Sequence, residues 1–241
     1  MSTPSAPQAG VTSYKNNLWY EADPVFTSLY RQGLVQTGTP EAGERRHQRF
    51  FNLMQFFCTT LPMTGSMAEC GCWKGLSSYM MCHYVRRHDP AFDGSGYHVF
   101  DSFQGLSEPT GEDRIVDPAV HGGRKTYGGV PGEFCGGREE VRQALQEFPA
   151  IQLHEGWIPA SLQQAPEARY KFVHIDLDLY EPIRGAVDYF WPRMLPGGLM
   201  IFDDYGCLSW PGAKKAVDDF CAQQGLTLLA LSTGQGVLWK R

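Results

Sequence analysis

The segment KFVHIDLDLYEP, residues 171–182, decides the fold because it joins a buried strand to the start of a helix. Its apolar run ends in two aspartates, Asp176 and Asp178, and Pro182 then suits the first turn of a helix. Burying an unpaired carboxylate costs free energy, so two of them at one strand end need water, a cation or a chemical task. Residues two apart share a face of an extended chain, so both carboxylates point to one side if the extended geometry persists.

The same alternation of strand and helix continues through most of the chain. From about residue 66, short apolar runs alternate with amphipathic helical segments, which predicts an α/β fold with a mostly parallel sheet covered by helices on both faces. The predicted strands are SMAEC (66–70), YHVFD (97–101), AIQLHEG (150–156), YKFVHID (170–176), GGLMIFDD (197–204), LTLLAL (226–231) and GVLWK (236–240). A tight Gly-containing connection joins the last two, so we expect the final strand to run antiparallel.

The chain is predicted to have three parts. Residues 1–17 are rich in Ser, Pro, Ala, Gln and Asn and are expected to be flexible. Residues 18–65 form an N-terminal helical cap, clearest from about 41 to 59, and residues 66–241 form the sheet domain. Within that domain the Gly-rich segment 105–137 has little periodicity, which is typical of a lid or binding loop, and its His121 is a candidate substrate contact.

Composition excludes several classes of protein. The 241 residues carry a net charge of -5, which argues against a nucleic-acid-binding protein. The densest basic group, Arg45, Arg46 and Arg49, is interpreted as the solvated face of a helix. There is no apolar run long enough for a membrane span and no signal peptide at the start, so we expect a cytoplasmic protein whose seven cysteines are reduced.

Carboxylates follow several of the predicted strands, where ligands bind in open α/β sheets. They are Glu69, Asp101, Asp176, Asp178, Asp203 and Asp204. Asp203 and Asp204 are adjacent, so the chain must turn at about Asp204 for both to reach one site. Converging carboxylates repel unless a cation or a proton lies among them, and oxygen ligands favour Mg²⁺, Mn²⁺ or Ca²⁺ over zinc. The alternative is two unrelated acidic loop ends that each cap a helix.

Two further motifs indicate a nucleoside site. ECGCWKGLSS, residues 69–78, places glycines at a strand-to-helix turn, where backbone can approach a ligand closely. It has Gly-x-x-x-Gly rather than Gly-x-Gly-x-x-Gly, and a tight turn without a ligand is the alternative. Asp101, at the end of the next strand, is well placed to accept hydrogen bonds from a ribose diol, or else it is a turn or N-cap aspartate. Cys70 and Cys72 are interpreted as small buried residues, and His174 as a hydrogen-bonded core residue.

Four motifs in order, AECGCWKGLSS, VFDSFQGLSEP, HIDLDLYEP and LPGGLMIFDDY, resemble the macrocin O-methyltransferase (TylF/MycF-type) family. Its members are class I S-adenosylmethionine-dependent methyltransferases that use a divalent metal. The resemblance covers roughly residues 41–240. It implies a Rossmann-like class I methyltransferase sheet with an antiparallel last strand and an N-terminal helical extension.

The resemblance also implies roles for individual residues. Asp178 would be the general base, and the metal ligands would be Asp176, Asp203 and Asp204. The cofactor-binding residues would be Glu69, Gly71, Trp73, Gly75, Ser77 and Ser78 for the methionine part, Asp101 and Ser102 for the ribose, Gly156 and Trp157 near the adenine, and Asp176. Two departures bear on the shape of the acceptor pocket: Leu177 stands where the family often has Gly, and Pro182-Ile183 where a Ser-Thr pair is common.

The function that follows is an S-adenosylmethionine- and Mg²⁺-dependent O-methyltransferase. Because two neighbouring oxygens of an acceptor can chelate one metal, a vicinal diol or catechol-like group is the expected substrate feature. Together with the resemblance, this predicts a small-molecule hydroxyl acceptor, a sugar or vicinal diol of a natural product. The family resemblance also implies a homo-oligomer. Two alternatives remain open: a metal-dependent hydrolase on the same fold, in which the aspartates activate water, and a non-catalytic cofactor-binding subunit.

Overall fold

The computed structural model describes residues 19–114 and 128–241. Its α-helices are α1 (Pro24–Thr37), α2 (Glu44–Thr60), α3 (Leu76–His88), α4 (Arg138–Ala144), α5 (Tyr180–Phe190) and α6 (Pro211–Gln224). Its strands are β1 (Ser66–Cys70), β2 (Tyr97–Asp101), β3 (Gln152–Glu155), β4 (Tyr170–Ile175), β5 (Met194–Phe202), β6 (Leu229–Ala230) and β7 (Gly236–Trp239). Short 3-10 helices cover Trp19–Ala22, Gly111–Asp113, Ala160–Gln164 and Trp191–Arg193.

The seven strands form one sheet in the order β3-β2-β1-β4-β5-β7-β6. Strands β1 to β5 are parallel, and β7 pairs antiparallel with both β5 and β6, as the sequence predicts. Chain order runs one way from β1 to β3 and the other way from β1 to β4, so the topological switch lies beside β1. Register places Cys70 beside Ile175 and Ile175 beside Phe202. The carboxyl ends of β1, β4 and β5 therefore meet at one edge of the sheet.

Both faces of the sheet are covered by apolar side chains. All six residues of β4 are buried, as expected for a central parallel strand. Its alternate residues supply two cores: Phe172 packs in the core shared with α1, α2 and α3, and Val173 in the core shared with α5 and α6. Phe57 of α2 contacts Phe172 with their ring centroids 5.0 Å apart, so the N-terminal helices share a core with the sheet.

Several predicted elements have different bounds in the structure, and two of them show the physical reason. The strand predicted over 226–231 is reduced to Leu229–Ala230, because it lies at the sheet edge and only β7 pairs with it. The helix predicted over 139–148 ends at Ala144, and turns follow it, such as the bond from Phe148 N to Leu145 O. The helix after β4 begins at Tyr180, so Pro182 lies in its first turn, as the sequence predicts.

Three further expectations concern the cysteines, membrane spans and the Gly-rich segment. All seven cysteines are free, and Cys70 and Cys72 are buried. Among these residues, no helix combines the length and the apolar character that crossing a membrane requires. His121 and the middle of the Gly-rich segment lie outside the described residues.

Candidate active site

A cleft opens at the carboxyl ends of the parallel strands. It contains about 1230 Å³ of empty space, part of it open to solvent. The residues that line it are Thr39, Arg46, Arg49, Phe50, Gly71–Lys74, Leu76, Ser77, Phe100–Ser102, Gly105–Ser107, Phe134, Gly156–Ile158, Asp176–Asp178, Pro182, Asp204 and Trp210.

The turn between β1 and α3 forms one wall of the cleft. Gly71 has φ +81, and a Cβ at this position would collide with the backbone oxygen of Asp176. Only glycine therefore lets the turn pass this close to the end of β4. The same contact brings the predicted cofactor turn next to the predicted metal ligands.

Glu69 lies behind this wall and is completely buried. Its carboxylate accepts hydrogen bonds from the hydroxyls of Ser77 and Ser78, and its Oε1 is 3.0 Å from His174 Nδ1. Among these residues, only Ser77 lines the cleft. The network joins β1, α3 and β4, so Glu69 holds the start of α3 in place, and its direct contact with a cofactor stays a prediction. His174 is the hydrogen-bonded core residue that its sequence context predicts.

Asp101 ties the end of β2 to the same turn. Its Oδ2 accepts from the backbone N–H groups of Cys72 (2.7 Å) and Trp73 (3.2 Å), and its Oδ1 accepts from that of Phe103 (2.7 Å). Burial raises the pKa of Asp101, and these backbone donors oppose the rise. The carboxylate lines the cleft, so it is available to a ligand while it also stabilises the turn.

The end of β3 and the loop after β2 meet at the carbonyl oxygen of Gly105. Ser102 Oγ donates to it at 2.7 Å, and Trp157 Nε1 donates to it at 3.2 Å. The predicted ribose and adenine contacts, Ser102 and Trp157, are thus joined through one backbone atom. Trp157 is half-exposed, which leaves part of its indole ring free to contact a ligand.

The predicted acidic residues converge in two overlapping groups. Ligand atoms of Asp176, Asp178 and Asp204 lie within 4.8 Å of one another, and so do those of His174, Asp176 and Asp203. Asp178 has φ +59, so the extended geometry that would align it with Asp176 does not persist as far as this residue. A left-handed turn brings Asp178 to the cluster instead. Asp203 does not line the cleft, whereas the other three aspartates do.

The electrostatics of the cluster call for positive charge. Burial, and then the charge of Asp204, raise the pKa of both Asp176 and Asp178 well above the usual range of a carboxyl. Two buried atoms that face the cluster, Asp204 Oδ2 and His174 Nε2, have no hydrogen-bond partner among the described residues. Each such atom costs about 1–3 kcal/mol when left unsatisfied. A hard dication, which prefers oxygen ligands, fits this donor set.

Arg49 supplies part of the positive charge, and its interpretation as a solvated surface residue is wrong. Its guanidinium is paired with the Asp203 carboxylate and lies 3.1 Å from Asp204 Oδ1. Gln235 holds the other side of Asp203: its Nε2 donates to Asp203 Oδ1 (2.7 Å) and to the backbone oxygen of Arg49 (3.1 Å). Arg49 stands four residues before Leu53, a spacing that places it on the buried stripe of α2 and that is visible in the sequence. Gln235 has no comparable sequence signal.

Aromatic side chains that the motifs do not identify complete the cleft. The ring centroid of Phe134 lies 6.1 Å from that of Trp73 and 6.1 Å from that of Trp210. This line of three rings forms an apolar wall beside the polar strand ends. Aromatic faces of this kind bind the apolar faces of ligands.

The described geometry combines a glycine turn, a carboxylate after β2 and an acidic cluster in one cleft. A family model described as Macrocin-O-methyltransferase (TylF) matches residues 35–241. The chain belongs to this family. The membership confirms the resemblance drawn from the four motifs, and it makes the protein an S-adenosylmethionine-dependent O-methyltransferase.

Individual relatives in the family are distant in sequence. The chain is 28% identical over 242 residues, 90% of its length and 89% of the relative's, to the 8-demethyl-8-(2,3-dimethoxy-alpha-L-rhamnosyl)-tetracenomycin-C 4'-O-methyltransferase of Streptomyces olivaceus. It is 27% identical over 182 residues, 73% of its length and 68% of the relative's, to the mycinamicin III 3''-O-methyltransferase of Micromonospora griseorubida.

Solved structures of methyltransferases share the fold. The O-methyltransferase NovP matches with a TM-score of 0.69 at 21% identity, over 90% of this chain and 99% of that one. The calicheamicin methyltransferase CalS11 matches with a TM-score of 0.65 at 18% identity, over 99% of both chains. The predicted class I methyltransferase fold is therefore confirmed, and the hydrolase and non-catalytic alternatives are set aside in favour of a methyltransferase.

Proposed function

We propose that this TylF-family enzyme transfers a methyl group from S-adenosylmethionine to a sugar hydroxyl of a natural product, with the help of a divalent cation. The observation that carries the proposal is the acidic cluster, which lies in the same cleft as the glycine turn. Its buried Asp204 Oδ2 has no hydrogen-bond partner among the described residues. The names of the tetracenomycin and mycinamicin relatives support the acceptor class, because the first names a rhamnosyl acceptor and both name O-methylation of natural products.

The metal ligands in this proposal are Asp176, Asp203 and Asp204, and the ion is Mg²⁺, with Mn²⁺ or Ca²⁺ as alternatives. Asp176 belongs to both groups of converging ligand atoms, which supports a central place for it. Asp204 offers its unpartnered oxygen, while Asp203 is held from behind by Arg49 and Gln235. The bound dication would supply the positive charge that lowers the pKa of an acceptor hydroxyl beside it.

Asp178 is the proposed general base. It lines the cleft beside Asp176 and Asp204, so a hydroxyl that enters the cluster comes within reach of its carboxylate. Asp178 would accept the proton of that hydroxyl, and bound S-adenosylmethionine would supply the methyl group, with its sulfur as the leaving group. Most of the rate enhancement then comes from the walls of the cleft, which hold oxygen, carbon and sulfur in line.

The proposed cofactor site runs along the other strand ends. The turn from Gly71 to Ser78 would hold the methionine part, Asp101 and Ser102 the ribose, and Gly156 and Trp157 the adenine. Most of these residues line one continuous cleft, which supports the placement. Gly75, Ser78 and Glu69 lie behind its wall and act by shaping the turn.

Methyl transfer from labelled S-adenosylmethionine to a panel of glycosylated natural products tests the proposal. We expect transfer to a sugar hydroxyl, its loss in chelator and its recovery with Mg²⁺. Asp178→Asn should lower turnover by about 10²- to 10⁴-fold while cofactor affinity is kept. Asp188→Asn, an aspartate of α5 outside the cleft, is the matched control and should keep full turnover.

Two results would contradict parts of this scheme. Full turnover in the presence of a chelator would contradict the role of the metal. Wild-type turnover of Asp178→Asn would contradict the role of Asp178 as general base. The homo-oligomer and the cytoplasmic location stay predictions, and light scattering of the purified enzyme measures the first.

A further inference from the structure

Two cationic side chains at one end of the cleft lack carboxylate partners. The guanidinium carbon of Arg46 lies 5.5 Å from the centroid of the Trp73 ring, and Lys74 Nζ lies 5.7 Å from it. Neither cation forms an ion pair with any carboxylate whose side chain the structure describes. A third cation of the cleft, Arg49, is paired with Asp203 and Asp204. We name Arg46, Trp73 and Lys74 the cationic corner.

The corner is held by backbone atoms of the connection between α1 and α2. Arg46 Nη1 donates to the carbonyl oxygen of Pro40 at 2.9 Å, and Lys74 Nζ donates to that of Gly38 at 3.0 Å. Thr39, between these two residues, is buried and lines the cleft. A guanidinium has five N–H donors and an ammonium has three, so each cation has donors to spare for a ligand. The corner is therefore preorganised, with unused donors beside the cleft.

The charges of the corner are attractive to an anion. Two like charges held near one ring repel each other, and an anion between them relieves that repulsion. The whole chain has a net charge of -5, so this positive potential is local and not part of a general basic surface. Arginine binds planar carboxylates and phosphates through a fork of two N–H groups, and lysine adds a compact charge.

We propose that the cationic corner binds an anionic group, a carboxylate or a phosphate, of a ligand in the cleft. Lys74 lies inside the turn from Gly71 to Ser78, so its position favours the amino-acid carboxylate of the cofactor. To this extent the inference rests on the cofactor placement proposed above. A phosphate on the acceptor is the other source of the same chemistry, and the experiment separates the two.

Calorimetry of the full-length enzyme with two nucleoside ligands provides the test. S-adenosylhomocysteine carries the carboxylate, and 5′-methylthioadenosine lacks the whole amino-acid part. We expect Arg46→Gln and Lys74→Gln each to weaken S-adenosylhomocysteine binding by about tenfold or more, the loss of a charged hydrogen bond, and to leave methylthioadenosine binding unchanged.

Lys240→Gln is a matched control. Lys240 Nζ also donates to a carbonyl oxygen, that of Trp191 at 3.0 Å, and lies 4.4 Å from the Trp191 ring centroid. It does not line the cleft, so its replacement should change neither affinity. Circular dichroism melts of all three variants establish that they are folded.

The outcomes distinguish the sources of the anion. If S-adenosylhomocysteine binding is kept but wild-type binding of pyrophosphate, measured without added metal, is lost in both variants, the corner binds phosphate. Wild-type affinity of both variants for S-adenosylhomocysteine and pyrophosphate would overturn the proposal, and so would equal losses for the two nucleosides. Failure of the wild-type enzyme to bind S-adenosylhomocysteine is a separate result, which would overturn the cofactor placement itself.

Discussion

Replacing Gly105 by alanine should weaken cofactor binding through two residues that it does not change. Gly105 has φ +82, and an alanine Cβ would lie 2.5 Å from the carbonyl oxygens of Gly132 and Glu133, closer than the 3.0 Å that real Cβ atoms keep. The loop must shift, and the Gly105 oxygen then leaves the hydroxyl of Ser102 and the indole N–H of Trp157.

The size of the effect follows from those two hydrogen bonds. Each contributes about 0.5–1.5 kcal/mol, so losing both costs about 1–3 kcal/mol. If cofactor binding must restore the native positions of Ser102 and Trp157, affinity falls by about 5- to 150-fold. Calorimetry with S-adenosylhomocysteine measures the change. We expect the dissociation constant to rise by about 5- to 150-fold, with a modest drop in melting temperature.

Gly132→Ala is the control for backbone strain. Gly132 has φ +80, but its Cβ would meet only the Gln104 carbonyl oxygen, at 3.9 Å. Both variants therefore bear the cost of a left-handed alanine, about 1–2 kcal/mol. Only Gly105→Ala also breaks the hydrogen bonds from Ser102 and Trp157. Equal affinities of the two variants for S-adenosylhomocysteine would refute this reasoning.

Three other substitutions test separate parts of the structure. Asp113→Ala removes a buried acceptor 2.8 Å from the backbone N–H of Tyr180, the first residue of α5, and should lower the free energy of unfolding in urea by about 1–3 kcal/mol, whereas a change below 0.5 kcal/mol would contradict it. Arg49→Gln removes a cation beside Asp204 and should raise Mg²⁺ affinity by about tenfold in calorimetry, because the guanidinium and the metal ion repel each other. An unchanged or weaker affinity would contradict this repulsion. Burial lowers the pKa of His98 to about 4, so its neutral form is favoured in the fold, and its contribution to stability is present above pH 6.5 and lost as the pH falls towards 4. His98→Phe should therefore show a smaller fall in melting temperature over this pH range than the wild-type enzyme. If both proteins show the same pH dependence, His98 is not its source.

Much of the fold could be predicted because its signals are local. The apolar run of β4 and the stripe of α2 need only neighbouring residues to be recognised, and both lie where periodicity places them. The limits of short elements could not be predicted in this way. Whether LTLLAL forms six residues of strand or two depends on how much of it finds a partner at the sheet edge.

The candidate site divides in the same way. Asp176, Asp178 and Asp204 were identifiable because each follows a strand, and parallel strands end at a common edge. Arg49 and Gln235 were not identifiable as partners of Asp203. The buried stripe of α2 includes the position of Arg49, but the distance along the chain from either residue to Asp203 carries no periodic signal. Arg49 and Asp203 are 154 residues apart, and only packing of α2 against the end of β5 brings them together.

By itself, the sequence determined the order of strands and helices, the family and the acids that end the strands, because each of these depends on residue type and short spacing. Only the tertiary structure decided which charges meet. The left-handed backbone of Asp178 directs its carboxylate into the cluster, and Arg49 pairs with Asp203 and Asp204. Arg46 and Lys74 pair with none of the carboxylates whose side chains the structure describes. Electrostatic energy depends on distance in space, and distance along the chain does not specify it.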